Sequence, residues 1–210
     1  MLSPVFVTLM NNLRGMSRTN QDKLAEFEAK RDWDGMIAFA QQNLQVDSSN
    51  PDWWTVLGYA YSQKAEYEKA ADAFAQVVRY SPDQIEGYNL LAEAYRMMGQ
   101  HERAIRTLDR SLLIDRESPV TYFLIAENFG ALGRTERAVE YYEQALRRDN
   151  RLVQAWYGLG VAYARLGRTA EYEQVVRSLR ELSPPYAERL AQFQPRAVGD
   201  RVPRTAPPSR

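Results

Sequence analysis

The chain has 210 residues, and its 27 basic and 27 acidic side chains give a formal net charge of zero. This balance argues against a nucleic-acid partner, because such binding depends on a basic excess that neutralises phosphates. Cysteine is absent, which excludes disulfides, thiol nucleophiles and thiolate metal sites, and no apolar run approaches the about 20 residues of a transmembrane helix.

Residues 1–16 carry an apolar stripe at helical spacing. Leu2, Phe6, Leu9, Leu13 and Met16 would share one face of a helix. A secretory signal would need a basic start and a longer apolar run that ends in small residues, and the segment has neither. The pattern predicts an N-terminal amphipathic helix that packs on the segment after it.

Residues 17–50 contain two apolar patterns, each of which predicts a helix. The first is Leu24 with Phe27, and the second is Trp33, Met36, Ile37, Phe39 and Leu44. In the register of a repeat that begins later, Asn20 and Lys23 align with the large apolar residues Trp54 and Leu57. Terminal repeats are commonly atypical because one face meets water, so residues 17–50 are predicted to be a degenerate capping repeat.

From residue 51 onward the sequence repeats itself with a constant period of about 34 residues. The large residues that recur are Trp54, Tyr88, Tyr122 and Trp156; Leu57, Leu91, Ile125 and Leu159; and Tyr61, Tyr95, Phe129 and Tyr163. The small residues that recur are Gly58, Ala92, Ala126 and Gly160, and then Ala70, Ala104 and Ala138. Each period predicts two amphipathic helices, because its apolar residues share a helical face. The four predicted helix pairs span 51–84, 85–118, 119–152 and 153–186.

Turn and cap residues mark the predicted helix ends. Ala65, Gly99, Gly133 and Gly167 stand between the two helices of each pair, and glycine permits a left-handed turn at a helix end. An Asn or Ser followed by Pro is a helix-start signal, and it occurs at Asn50-Pro51, Ser81-Pro82, Ser118-Pro119 and Ser183-Pro184. A helix is therefore predicted to begin at each of these prolines.

The pattern resembles the tetratricopeptide repeat, whose signature is W-x2-L-G-x2-Y, followed by A-x3-F and P. The matching residues are Trp54, Leu57, Gly58, Tyr61, Ala70, Phe74 and Pro82, and again Trp156, Leu159, Gly160, Tyr163 and Pro184. The resemblance implies an all-α fold, a right-handed α-solenoid of tandem helix-turn-helix units. It also implies that the partner is another protein or a peptide.

The C-terminal part departs from the pattern. Tyr172 stands where a small alanine recurs, which predicts that the helices of 153–186 splay locally. Residues 184–194, with Tyr186, Leu190 and Phe193, predict a short capping helix. Residues 195–210 hold four prolines and four arginines, a composition typical of a disordered tail.

The inventory of catalytic groups is thin. The chain has one histidine, His101, in a predicted turn, and its carboxylates are spread over helix surfaces. No strand is evident that a Gly-rich phosphate loop could follow. The sequence therefore predicts no enzyme, no cofactor and no metal site.

The resemblance implies that the first helices of the repeats line a concave groove that holds the partner. Carried over to this sequence, the groove residues are Thr55, Tyr59, Asn89, Glu93, Arg96, Phe123, Glu127, Tyr157 and Arg165. Tyr59, Phe123 and Tyr157 lie outside the packing positions of the repeat, so they are expected to be exposed, as aromatic residues of partner sites often are. Leu90 and Leu124 also lie outside the packing positions of the repeat, although either could pack between adjacent first helices.

The charges at these positions bear on the kind of ligand. Asp52, Glu86, Glu93 and Glu127 outnumber Arg96 and Arg165, which predicts a preference for a ligand with a basic residue. Members of the family that bind chaperones clamp an acidic C-terminus with Lys, Asn and Arg. This chain has Thr55, Tyr59 and Leu90 at the comparable places, so that clamp is not expected.

Two functions fit these observations. The first is an adaptor that holds an extended or helical peptide in the groove. The alternative is a structural assembly subunit of a bacterial envelope or secretion complex, whose permanent contacts use other faces or the ends of the chain. The sequence leaves the oligomeric state, the compartment and the identity of the partner open.

Overall fold

The computed structural model describes residue 13 and residues 15–195. Over these residues the chain forms eleven α-helices and no strand. The helices are α1 Arg18–Lys30, α2 Trp33–Val46, α3 Pro51–Gln63, α4 Tyr67–Tyr80, α5 Ile85–Met97, α6 His101–Ile114, α7 Pro119–Ala131, α8 Thr135–Arg148, α9 Val153–Leu166, α10 Thr169–Leu182 and α11 Pro184–Leu190. The chain divides into two compact units, Met1–Arg116 (unit 1) and Glu117–Arg210 (unit 2).

Each helix pair is joined through one residue in the left-handed conformation. Ala65, Gly99, Gly133 and Gly167 have φ values of 58°, 71°, 71° and 68°, so the predicted turns are confirmed. Arg31, which stands one period before Ala65, has a φ of 52°. The turn between α1 and α2 therefore has the same geometry as the turns of the four later pairs.

Polar caps start two of the first helices as predicted. The side chain of Asn50 accepts a hydrogen bond from the N–H of Asp52 at 3.0 Å, and α3 begins at Pro51. The hydroxyl of Ser118 accepts from the N–H of Thr121 at 3.3 Å, and α7 begins at Pro119 in the same way. Each cap satisfies an N–H that has no partner within the helix.

The start predicted at Ser81-Pro82 is wrong. Ser81 ends α4, and α5 begins at Ile85 without a side-chain cap. Pro82 lies in the intervening turn, where its carbonyl accepts a hydrogen bond from the hydroxyl of Tyr88 at 3.0 Å. Ile85 stands one period after Pro51, so the repeat, and not the proline, determines where this helix begins.

The small residues of the repeat permit close helix contact. A Cβ placed on Gly58 would lie 2.5 Å from Cε1 of Phe74 in α4, a distance at which the ring would have to move. Ala92 and Ala126 occupy the same place in the next two repeats and are fully buried. These contacts explain why the position is always small, because a larger side chain would overpack the helix pair.

The local splaying predicted at Tyr172 is not observed. A Cβ on Gly160 of α9 would lie 3.1 Å from Val175 of α10, so the two helices are in close contact. Tyr172 is buried, and its hydroxyl donates to the carbonyl of Leu190 in α11 at 2.9 Å. The larger side chain is accommodated because α11 supplies an acceptor for its hydroxyl.

The N-terminal helix predicted over 1–16 falls mostly outside the described residues, as does the tail predicted over 195–210. Where the chain is described, Leu13, Gly15 and Met16 are not helical. Gly15 instead hydrogen-bonds through its backbone to the carboxylate of Asp52, and Leu13 is buried in the core of unit 1. In the described part of the chain, no helix has the length and apolar character needed to cross a membrane.

Candidate functional site

The predicted groove residues of α3 pack inside unit 1. Tyr59 is only 5% exposed, its ring contacts that of Trp33 edge-on at 6.2 Å, and its hydroxyl donates to Glu28 at 2.9 Å. Thr55 is also buried, and its hydroxyl donates to the carbonyl of Pro51 at 2.8 Å. The expected exposure of Tyr59 is therefore wrong, because α1 and α2 cover it.

The predicted groove residues of α5 form hydrogen bonds with each other and with α6. The carboxylate of Glu93 accepts two hydrogen bonds from Arg96, at 2.7 Å from Nε and 2.5 Å from Nη2. Asn89 accepts a hydrogen bond at 3.3 Å from the hydroxyl of Ser111, which is fully buried in α6. Because Arg96 neutralises Glu93, this helix offers less negative charge to a ligand than the sequence suggests.

The start of α3 carries a further carboxylate near the predicted groove. Asp52 is half-buried, and this burial raises the pKa of its carboxyl group. The backbone hydrogen bond from Gly15 opposes the shift, because it stabilises the charged form. The segment around Gly15 thus lies against the first turn of α3.

In unit 2 the predicted groove residues of α7 both contact Tyr142 of α8. The hydroxyl of Tyr142 donates to Glu127, and its ring lies 6.2 Å from that of Phe123. Burial, followed by the Glu127 charge, raises the pKa of the Tyr142 hydroxyl, so it stays protonated as a donor. Phe123 and Glu127 are both half-buried, and Tyr142 holds them on one face of α7.

Tyr157, a predicted groove residue of α9, contacts the C-terminal helix. The ring of Tyr157 lies 5.7 Å from that of Tyr186 and 6.3 Å from that of Phe193, edge-on in both cases. The guanidinium of Arg189 lies 5.3 Å from the centre of the Tyr157 ring, a cation–π distance. Tyr157 remains half-buried, and Phe193 is 45% exposed.

Arg165, two turns after Tyr157, is exposed on α9. It reaches the carbonyl of Gly130 at 3.5 Å, and its positive charge opposes the rise in the pKa of Tyr142. Arg165 therefore lies on the same side of unit 2 as the Tyr142 and Glu127 pair.

The structure brings some of the predicted groove residues into contact, but it does not test whether Glu93 and Glu127 lie close together. Glu93 meets Arg96 within unit 1, and Tyr142 links Phe123 and Glu127 within unit 2. Glu93 and Glu127 stand one period apart, which predicts that they lie on neighbouring first helices. Because they belong to different units, this proximity stays a prediction.

Several residues that contact the predicted groove residues were not predicted from the sequence. For some of them, the repeat register could have revealed the contact. Glu28 stands one period before Ser62 and two periods before Arg96, so extending the groove mapping to residues 17–50 would have found it. Tyr142 stands where Phe74, Leu108 and Val176 recur, and its extra hydroxyl needs a partner when buried. Arg189 and Tyr186 gave no repeat signal, because no basic residue and no aromatic residue, respectively, recurs at their places in the earlier repeats.

The predicted groove residues and their neighbours are mainly aromatic, acidic and basic side chains. In the part of the chain that the structure describes, no group of three or more His, Asp or Glu side chains is arranged to hold a metal ion. The site is instead made of half-buried rings, hydrogen-bonded carboxylates and exposed arginines. Such a surface can bind apolar and polar groups of another molecule.

Family models described as tetratricopeptide repeat match residues 52–84, 83–151 and 123–187. Together they cover every repeat predicted from the periodicity, beginning with the one at Trp54. In the comparison with curated proteins, none matches the chain.

The chain is also similar to solved structures. MamA shares 22% identity over 80% of this chain and 95% of its own, with a TM-score of 0.64. A thermophilic TPR protein in Thermus thermophilus shares 18% over 82% and 95%, with a TM-score of 0.65. YrrB, a TPR protein with an unusual peptide-binding site, shares 17% over 90% and 98%, with a TM-score of 0.62. At these identities the likeness shows the fold alone, and the predicted right-handed α-solenoid of tandem helix-turn-helix units is confirmed.

Proposed function

The chain belongs to the tetratricopeptide repeat family, and we propose that it holds a partner peptide or helix against the first helices of its repeats. Proteins of this family and fold are typically non-catalytic interaction scaffolds. The similarity in fold to YrrB, which has a peptide-binding site, supports a peptide as the class of ligand.

One observation carries the proposal. Phe123 on α7 and Tyr157 on α9 keep part of their ring surface exposed, although each has aromatic neighbours that hold it in place. Rigid, partly exposed rings lose little conformational entropy on binding and are enriched among residues that dominate binding energy. Tyr59 differs, since its ring is buried inside unit 1. The main apolar anchors of the ligand therefore belong on unit 2.

The alternative, a structural assembly subunit, has its own supporting observation. Val46 at the end of α2 is 88% exposed, and Leu113 near the end of α6 is 76% exposed. Both lie at the ends of second helices, and neither is one of the predicted groove residues. Exposed apolar residues that form one patch mark a contact with another protein, and the assembly function requires such a patch around these residues.

Affinity capture from the source lysate tests both functions. Phe123→Ala combined with Tyr157→Ala should reduce partner capture by at least tenfold, since anchor rings typically contribute about 2 kcal/mol or more each. Helicity by circular dichroism should remain close to that of the wild type. The matched surface variant, Val46→Asp with Leu113→Asp, should capture normally. The reverse outcome would replace the groove function with the assembly function.

A further inference from the structure

A pocket on the opposite side of α9 from the groove has no role in the proposed function. It encloses about 390 Å³ in unit 2, between α8 and α10. Trp156, Leu159 and Tyr163 of α9 form its floor, and Val175 forms one wall. Two carboxylates, Glu143 and Glu171, stand at its rim.

Unit 1 contains the same pocket at the equivalent place. A cavity of about 320 Å³ is lined by Trp54, Leu57 and Tyr61, which stand three periods before the floor residues in unit 2. Both pockets therefore belong to repeats that have Trp, and not Tyr, as their first recurring aromatic residue. The pocket is a feature of the repeat and not an accident of one helix junction.

In the repeats, a basic side chain lies over the aromatic ring that stands at the place of Tyr61. In the first three, the basic residue eight places after the ring lies over it: Lys69 over Tyr61 at 5.4 Å, Arg103 over Tyr95 at 4.1 Å and Arg137 over Phe129 at 5.8 Å. The fourth repeat breaks this rule, because the residue eight places after Tyr163 is Glu171. There Arg168 lies over Tyr163 at 4.6 Å and pairs with Glu171 at 2.6 Å.

The Trp156 ring lacks the cation that one of its three counterparts in the earlier repeats has. In the third repeat Tyr122 stands at this place, and Arg148 covers it at 4.0 Å. Over the described residues, no Lys or Arg lies on the Trp156 ring. Its indole N–H donates to the carbonyl of Asn150 at 2.7 Å, which fixes the ring orientation. Trp is the aromatic side chain that attracts cations most strongly.

The rim charges balance, yet the carboxylates keep acceptor positions for a further cation. Glu143 and Glu171 line the pocket with Arg147, and Arg168 pairs with Glu171. Glu143 accepts from the hydroxyl of Tyr163 at 2.9 Å and lies 3.5 Å from Arg147, yet a carboxylate has about four acceptor positions. A guanidinium can stack on an indole and donate in its own plane to carboxylates, which an ammonium cannot do as well.

We propose that this pocket binds an arginine side chain of a partner protein, stacked on Trp156 and hydrogen-bonded to Glu143 and Glu171. The site is independent of the groove, so the protein has a second contact surface for basic segments. The Trp54 pocket has the same floor, but Lys69 stands on its rim beside Asp72. It should therefore bind arginine more weakly.

Nuclear magnetic resonance on the full chain tests the proposal. The four tryptophans give four indole N–H signals, which single Trp→Phe variants assign. The tripeptide Gly-Arg-Gly should shift the Trp156 signal saturably and leave the signals of Trp33 and Trp53 in place. Gly-Gln-Gly and Gly-Glu-Gly should not shift it. Equal shifts with all three peptides would overturn the proposal.

Two variants make the test specific. Glu171→Lys copies Lys69 of the first repeat, and it should weaken the Trp156 response at least tenfold while the Trp54 response persists. Glu171→Gln removes only the charge, and it should weaken the response less. An unchanged Trp156 response in Glu171→Lys, with helicity preserved, would contradict the assigned role of the rim.

The arginines at 196, 201, 204 and 210 of this chain are the other candidate occupants. A variant with all four changed to serine should show the wild-type Trp156 signal and the wild-type affinity for Gly-Arg-Gly. A shifted signal together with tighter peptide binding would assign the pocket to the chain's own tail and overturn the partner assignment.

Discussion

At the residue scale, the left-handed turns between helices give a direct test of backbone strain. Ala65 adopts a φ of 58° where three other repeats have glycine. Ala65→Gly should raise the free energy of unfolding by about 1 kcal/mol, because a side chain at positive φ is strained. Gly99→Ala is the matched reverse change, and its Cβ would meet no atom within 4 Å. It should lower the free energy of unfolding by a similar amount.

Thermal and urea unfolding measure both changes, and two effects of the same sign would disprove the strain argument.

The same residues show how much the sequence can predict. The repeat located all four turn positions, because its period is constant along the chain. It missed the burial of Tyr59, because that burial comes from Glu28 and Trp33 in the degenerate segment 17–50, where the repeat pattern is weakest.

At the scale of helices, the junction of α9, α10 and α11 depends on the absence of a side chain at Gly160. A Cβ there would collide with Leu190 of α11 and press on Val175 of α10. Gly160→Ala should therefore lower the free energy of unfolding by about 1–3 kcal/mol, although alanine favours a helix by about 1 kcal/mol over glycine. In a Leu190→Ala background the collision is relieved, so the same change should cost little or even stabilise.

Chemical unfolding of the two single variants and the double variant gives the coupling energy. Strictly additive effects would mean that Leu190 does not press on this position. Helix α11 begins at Pro184 as predicted, and it ends at Leu190, inside the predicted range 184–194. Pro184 begins a helix while Pro82, at the same phase of the repeat, lies in a turn. The difference follows from what comes next, since a full repeat follows Pro82 and none follows Pro184.

At the scale of the whole molecule, the fold followed from one periodicity, whereas the charge pattern of the groove did not follow from composition. The formal net charge is zero, so long-range steering of a charged ligand is weak and any preference must arise locally. The sequence counted Glu93 and Glu127 as available carboxylates. The structure pairs the first with Arg96 and the second with Tyr142, and such pairing depends on rotamers that spacing alone does not specify.

The wild-type protein should therefore show only a weak preference for a basic ligand, because Arg96 neutralises Glu93. The preference should become stronger when this ion pair is removed. Arg96→Ala removes both hydrogen bonds to that carboxylate. It should increase the ratio of affinities for a basic over an acidic peptide about two- to fivefold, which corresponds to the upper part of the range for exposed ion pairs. Fluorescence polarisation with matched labelled peptides measures the ratio, and added salt should reduce it, since charges are screened over about 8 Å at physiological ionic strength.

Arg165→Ala is the control, because it removes the same charge from an exposed residue without releasing a carboxylate. An equal increase in both variants would mean that total charge decides the preference, and stronger binding of the acidic peptide to the wild type would contradict it outright.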